Sequence, residues 1–288
     1  MKSTATSTQA LEIQYNNQRR VPEFPELMQD WVQRTQALRA RTGARLDIAY
    51  GDGERERLDL YPAANEDAPL LVFIHGGYWQ RGDKSTFGFV AAGPLAMGFQ
   101  VAVLNYGLCP QQPFADIAPQ VVNALTWMLT RGPDNGVHAR SIYLCGHSAG
   151  GHLTASMVTT DFSTQHPELA PCPLSGALAI SGVFELEPLV PTTINDALGL
   201  DADLARSHSP ALRQPVPGAC ALVAAVGGEE SSEFLRQSRD LTTGWAAAAA
   251  TRYLEVPGCN HFTVLEALAD PRRELCQALG EMRADAAA

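Results

Sequence analysis

Ser148 stands at the centre of Gly146-His147-Ser148-Ala149-Gly150, between an apolar run, Ser141 to Cys145, and a helix-compatible run, His152 to Thr159. Strand, sharp turn and helix with a serine at the apex would lift a hydroxyl above the end of a sheet. Glycines two positions either side leave room for such a turn because they carry no Cβ. A hydroxyl presented this way can attack a carbonyl carbon. His75-Gly76-Gly77-Tyr78-Trp79 supplies what the attack needs next. It follows the apolar residues Leu70 to Ile74, which read as a strand buried on both faces. Attack leaves negative charge on the former carbonyl oxygen, and backbone N–H groups stabilise it only if they already point there. Glycine permits that close approach. The amides of Gly76, Gly77 and Ala149 are the expected oxyanion hole, with the Tyr78 N–H as a substitute donor. Either loop alone could be a small-residue turn, but the two in this order point to acyl transfer through serine. Tyr78 and Trp79 lie beside the hole and are expected to bind an aryl ring of the substrate. Packing of the loop is the equal alternative for Trp79.

Such loops need a rigid scaffold. Strand-like runs occur at Leu46–Tyr50, Arg57–Tyr61, Leu70–Ile74, Gln100–Asn105, Ser141–Cys145, Ala177–Ile180, Ala221–Val226 and Arg252–Val256. Gly51-Asp52-Gly53 predicts a hairpin between the first two. Helical runs at Pro25–Arg41, Phe87–Met97, Ile117–Leu129, His152–Thr159, Glu233–Trp245 and Val264–Leu279 surround or alternate with the strands. Alternation of this kind predicts an α/β protein, a mostly parallel eight-stranded sheet with helices on both faces. The strand order resembles the α/β-hydrolase fold. No linker or repeat divides the chain, so residues 1–288 read as a single domain. Residues 1–41 read as an N-terminal arm and helix, polar over 1–20. Residues 183–218 hold five prolines and no clear strand, and they fall between the sixth and seventh strands. An insertion there lies over the carboxyl ends of the strands, where ligands bind in open α/β sheets, and is expected to form a lid or pocket wall. A loop packed only for stability is the alternative.

Serine needs a base, and the base needs a carboxylate to orient it. In the fold expected here their order is serine, acid, histidine. Of the seven histidines, His75 and His147 sit inside the two loops, His152 follows Ser148 on its helix and His138 precedes it. His166 and His208 fall in irregular polar stretches, whereas His261 follows the last strand and is the expected base. The acid should follow the penultimate strand. Gly227-Gly228-Glu229-Glu230-Ser231 holds no aspartate, and Asp240 lies too far along the next helix. Glu230 is the first choice and Glu229 the second, with capping of the following helix as the other duty for one of them.

Hydrophobic residues make up 45% of the 288 positions and the formal net charge is −10. No basic patch is available to neutralise phosphates, which argues against nucleic acid and anionic membranes but does not identify a substrate; the expected partner of the serine chemistry is a small-molecule substrate. The six cysteines are scattered without C-x-x-C or zinc-type spacing, so no metal site is expected. A P-loop and a dinucleotide fingerprint are absent from the sequence, and serine hydrolysis needs only water, so no cofactor is expected. No run reaches the length of a membrane span. Met1 to Ala10 lacks the apolar core of a signal peptide, so the expected location is cytoplasmic.

Four segments carry a family resemblance. His75 to Trp79, Gly146 to Leu153, Glu230 to Phe234 with Arg236-Gln237-Ser238, and Asn260-His261-Phe262 together resemble the kynurenine formamidase (arylformamidase) group, near the hormone-sensitive-lipase branch of α/β hydrolases. Gln14-Tyr15-Asn16-Asn17 is similar to the group's bacterial members. The resemblance covers most of the chain, with His75 to Trp79 its most specific part. It implies hydrolysis of an N-formyl arylamine such as N-formylkynurenine, with Ser148 and His261 as nucleophile and base, and by analogy a homodimer. Animal members have aspartate where Glu230 stands, which leaves the acid and the substrate less fixed. A carboxylesterase for short acyl esters would use the same residues, and a non-catalytic binding module on this fold is a third alternative.

Overall fold

All eight expected strands form and join one sheet in the computed structural model, which describes residues 7–65, 67–138 and 140–286. Residues 1–6, part of the stretch read above for targeting, lie outside the described residues. The strands are β1 (Arg45–Ala49), β2 (Arg57–Tyr61), β3 (Leu70–Ile74), β4 (Gln100–Leu104), β5 (Ile142–His147), β6 (Gly176–Ile180), β7 (Leu222–Gly227) and β8 (Thr251–Val256). The helices are α1 (Thr8–Tyr15), α2 (Asn17–Arg20), α3 (Phe24–Thr42), α4 (Lys84–Phe87), α5 (Ala92–Ala96), α6 (Ile117–Thr130), α7 (Ala149–Val158), α8 (Ala202–Ser207), α9 (Ser232–Trp245), α10 (Glu266–Ala269) and α11 (Glu274–Asp285).

The sheet runs β1-β2-β4-β3-β5-β6-β7-β8. Pairings β1–β2 and β2–β4 are antiparallel, and the rest are parallel. This is the α/β-hydrolase fold. Successive side chains of a strand point to opposite faces, so a doubly covered strand must be apolar throughout. In β3, Leu70, Val72 and Ile74 enter one core with Val121 and Leu125 of α6 and Leu153 of α7. Leu71 and Phe73 enter the other with Trp31 and Leu38 of α3 and Leu275 and Leu279 of α11. The parallel strands β3, β5, β6 and β7 all end on one side of the sheet, and both loops that could do chemistry emerge there.

The structure departs from the sequence reading in three places, in two helices and in the arm. The helix expected over 87–97 is broken into α4, a tight single turn over Gly88–Ala91, and α5. A Cβ on Gly88 would lie 1.9 Å from Tyr61 Oη, so the backbone must pass close over β2. The helix expected over 264–279 is split into α10 and α11 around Asp270-Pro271, where proline offers no N–H to continue the helix. The polar arm is instead two short helices folded onto the body. Tyr15 is 1% exposed and its ring lies 5.9 Å from that of Phe234. Residues 183–218 form tight turns and α8, and Leu186, Leu189, Leu198 and Ala205 are buried in the first core. Among the described residues no helix is long and apolar enough to cross a membrane.

Candidate active site

β5 ends at His147, and the chain turns at Ser148 with φ 56° and ψ −117° before α7 begins at Ala149. The Ser148 N–H donates to the Ile180 carbonyl of β6 at 2.8 Å, which fixes the turn to the sheet. Neighbouring glycines are sterically required. A Cβ on Gly150 would lie 2.0 Å from the Ile74 carbonyl oxygen, and one on Gly146 would lie 2.1 Å from that of Gly150. Ser148 is thereby aimed at the loop after β8. Its Oγ lies 3.1 Å from His261 Nε2, and His261 Nδ1 lies 2.6 Å from Glu230 Oε2. Glu230 is held in turn. Its Oε1 accepts from Ser181 Oγ at 2.5 Å and from the Gly227 N–H at 2.8 Å. Glu229, the second choice for the acid, is exposed, and Glu230 is the one that bonds His261. The structure therefore brings Ser148, His261 and Glu230 into one chain of contacts. Ser181, just past β6 with φ 50°, completes it and was not singled out in the sequence.

Two further histidines brace the loops. His147 Nε2 donates to the His261 carbonyl at 2.7 Å, joining the serine turn to the base loop. His75 Nδ1 donates to the Gly76 carbonyl at 2.7 Å, and Tyr106 Oη donates to the His75 carbonyl at 2.9 Å. Burial disfavours the charged form of both. It pushes His75 down to about 4 and His147 well below the usual histidine range, so both rings are neutral near pH 7.

The glycine loop closes over Ser148. A Cβ on Gly76 would sit 2.9 Å from Ser148 Cβ, while Gly77, Tyr78 and Trp79 all have positive φ. Ala149 is the first residue of α7, where N–H groups have no intrahelical acceptor. Gly76, Gly77 and Tyr78 line the cleft beside Ser148 and His261. Trp79 does not. It is 0% exposed and packs edge-on against His152 at 4.9 Å and Phe114 at 5.1 Å, so the expectation that it binds substrate is corrected to a packing role. Tyr78 stays at the cleft, but its Oη is committed to the Tyr15 carbonyl at 2.6 Å.

The cleft encloses about 250 Å³. One wall is apolar, formed by Phe24, Met28, Trp31, Phe87 and Phe262, with the Phe24 and Phe262 rings 4.1 Å apart. The polar part of the lining is Asn16, Asn17, Gln18, Gln80 and Arg81. Thr193 and Ile194 close it from the 183–218 segment. Sequence reasoning missed the arm and Phe24 as cleft walls. The available signal was Gln14-Tyr15-Asn16-Asn17, noted above for its resemblance but given no place in the cleft. Among the described residues no group of three or more His, Cys, Asp or Glu is placed to hold a metal ion.

The BD-FAE family model matches residues 58–179, from β2 to β6. A kynurenine formamidase of Salmo salar is 32% identical over 86% of this chain and 85% of its own length. The kynurenine formamidase of Danio rerio is 30% identical over 96% of each chain. A solved structure of a thioesterase candidate from a Silicibacter species is 31% identical, with a TM-score of 0.81 over 92% of this chain and 97% of its own. The protein is a hydrolase, and its chain belongs to the kynurenine formamidase family of α/β hydrolases.

Proposed function

We propose that this enzyme hydrolyses N-formyl arylamines, N-formylkynurenine among them, to the free arylamine and formate. Ser148 Oγ attacks the formyl carbon while His261 Nε2 takes its proton. Glu230 holds the Nδ1–H tautomer of His261 and stabilises the imidazolium that forms. The N–H groups of Gly76, Gly77 and Ala149 receive the oxyanion. His261 then returns the proton to the arylamine nitrogen as the C–N bond breaks, leaving a formyl ester on Ser148. Water attacks that ester with His261 as base, formate departs, and Ser148 regains its proton. An arylamine leaves more readily than an alkylamine because its nitrogen is less basic. In this reading residues 1–288 act as one catalytic unit, with the 1–41 and 183–218 segments as cleft walls.

The observation that carries this reading is the contact chain from Glu230 through His261 to Ser148, 2.6 Å and 3.1 Å, opening onto a wall of aromatic side chains. The Phe24 and Phe262 rings offer an aryl leaving group a stacking surface. The test compares kcat/KM on N-formyl-L-kynurenine and on p-nitrophenyl acetate, with Ser148→Ala as control. The formamide is expected to be the better substrate, and the variant is expected to lose roughly 10⁴-fold or more. Turnover of the ester alone would replace this reading with the second one, hydrolysis of short acyl esters. The likeness to a thioesterase candidate favours that second reading, because an ester carbonyl fits the same relay.

A further inference from the structure

The reaction above uses the serine, the base, the glycine loop and the aromatic wall, and leaves the polar side of the cleft without a part. Arg81 is the one fully charged residue of that lining, and among the described residues lining the cleft none is Asp or Glu. Its position is fixed by the glycine loop, since the N–H groups of Gln80 and Arg81 both donate to the Gly77 carbonyl at 3.1 Å. A Cβ on Gly77 would lie 3.0 Å from Arg81 Cγ, so the side chain starts out directly over that loop. At its far end Nη1 donates to Gln18 Oε1 at 3.1 Å, an amide and not a carboxylate. A guanidinium carries five N–H donors, so its capacity for a carboxylate is largely unused.

Asn17 provides an independent observation. It lines the same cleft and is 4% exposed, yet its buried Nδ2 has no hydrogen-bond partner. Buried donors are almost always paired, so this unpaired one beside the cleft is a donor that an acceptor on a ligand could satisfy. α2 places Asn17 and Gln18 consecutively, so the buried donor and the tether of Arg81 belong to one turn of chain.

We infer that the cleft selects substrates bearing a carboxylate, which pairs with Arg81 and accepts from Asn17 Nδ2 while the aryl ring rests on Phe24 and Phe262. This rests on the formyl-arylamine reading and narrows it to formyl-arylamines that carry a carboxylate, over formanilides that lack one. Arg81 and Asn17 are then specificity-determining residues, remote from the reacting atoms.

The test uses two matched pairs, each with and without a carboxylate. One is 4-(2-formamidophenyl)-4-oxobutanoate, which is formylkynurenine without its amino group, against 2-formamidobutyrophenone, and the other is an acetoxyphenyl-alkanoate against phenyl acetate. In Arg81→Gln the ratio of kcat/KM, carboxylate over neutral, is expected to fall about tenfold to a hundredfold, carried by KM, the scale of a lost charge-assisted hydrogen bond. Arg81→Lys should recover part of that ratio, and Asn17→Asp, which sets a like charge against the ligand, should lower it. Added salt should raise KM for the carboxylate substrates selectively, because the pair is solvent-accessible. Melting temperatures separate these effects from misfolding. Ratios unmoved by Arg81→Gln in both pairs would overturn the inference. If the wild-type enzyme hydrolyses neither formamide, the formyl-arylamine reading falls, and the ester pair alone decides the preference for an anion.

Discussion

At Ser148 the backbone adopts φ 56° and ψ −117°, a conformation that costs a residue with a Cβ about 1–3 kcal/mol. Glycine escapes that strain but loses roughly 0.5–1 kcal/mol more to chain entropy on folding. Strain is the larger effect, so Ser148→Gly is expected to be more stable than Ser148→Ala by about 1 kcal/mol, read from denaturant midpoints, with both variants inactive. Equal midpoints would mean that the turn relaxes once the hydroxyl is gone. The residues of this turn were legible because their chemistry forces a spacing. Glycines must flank the serine where β3 and α7 crowd it, and the base must follow the last strand. The choice between Glu229 and Glu230 was not fixed by spacing. It depends on which side chain turns inward, and that is set by Ser181 and the Gly227 N–H, from two separate strand ends. Trp79 misled for a similar reason. A large ring next to a reactive loop can face the cleft or the core, and only its neighbours His152 and Phe114 decide.

Among the elements, α7 lies closest to β3 at Gly150. A Cβ there would collide with the Ile74 carbonyl at 2.0 Å, and strand backbone cannot yield as a side chain would. Gly150→Ala is therefore expected to destabilise the fold by about 1–3 kcal/mol or more, and to lower kcat by displacing the Ala149 amide. Wild-type stability in that variant would show that the helix can lift away freely. The central strands were readable almost to the residue because burial on both faces leaves continuous apolar runs such as Leu70 to Ile74. The helices over 87–97 and 264–279 were read as single, because periodicity persists across Gly88 and Pro271 while the backbone does not. The arm was the largest omission. α1 is short, with no strong apolar face of its own, and it is ordered by distant partners. Tyr15 Oη donates to Glu233 at 2.9 Å and accepts from Gln237 Nε2 at 2.7 Å, contacts across more than two hundred residues of chain. No local pattern announces such pairings.

Over the whole molecule, three buried histidines tie stability to pH. His75 and His152 are pushed down to about 4 and His147 is also lowered, in each case chiefly by burial. An unfolded chain titrates these rings near 6.5, so between about pH 6.5 and 4 it binds more protons than the native state. Stability is then complete above pH 6.5 and is lost as the pH falls through that window. Denaturation midpoints measured from pH 7 to 4.5 should decline. His152→Gln, whose amide can replace the Nε2 donor to the His208 carbonyl at 2.8 Å, should flatten the decline. A flat wild-type profile would show that these sites admit the proton. His147 has a mechanical consequence as well. Its bond to the His261 carbonyl rivets the turn after β5 to the turn after β8, and Ser181 and Glu230 anchor the same frame from β6 and β7. Nucleophile and base are thus mounted on one chassis and cannot separate without breaking it. The folded arm and the 183–218 segment stand outside that frame and border the cleft through Asn16, Asn17, Gln18, Thr193 and Ile194. Side-chain changes along that border can alter turnover while the proton relay stays in register.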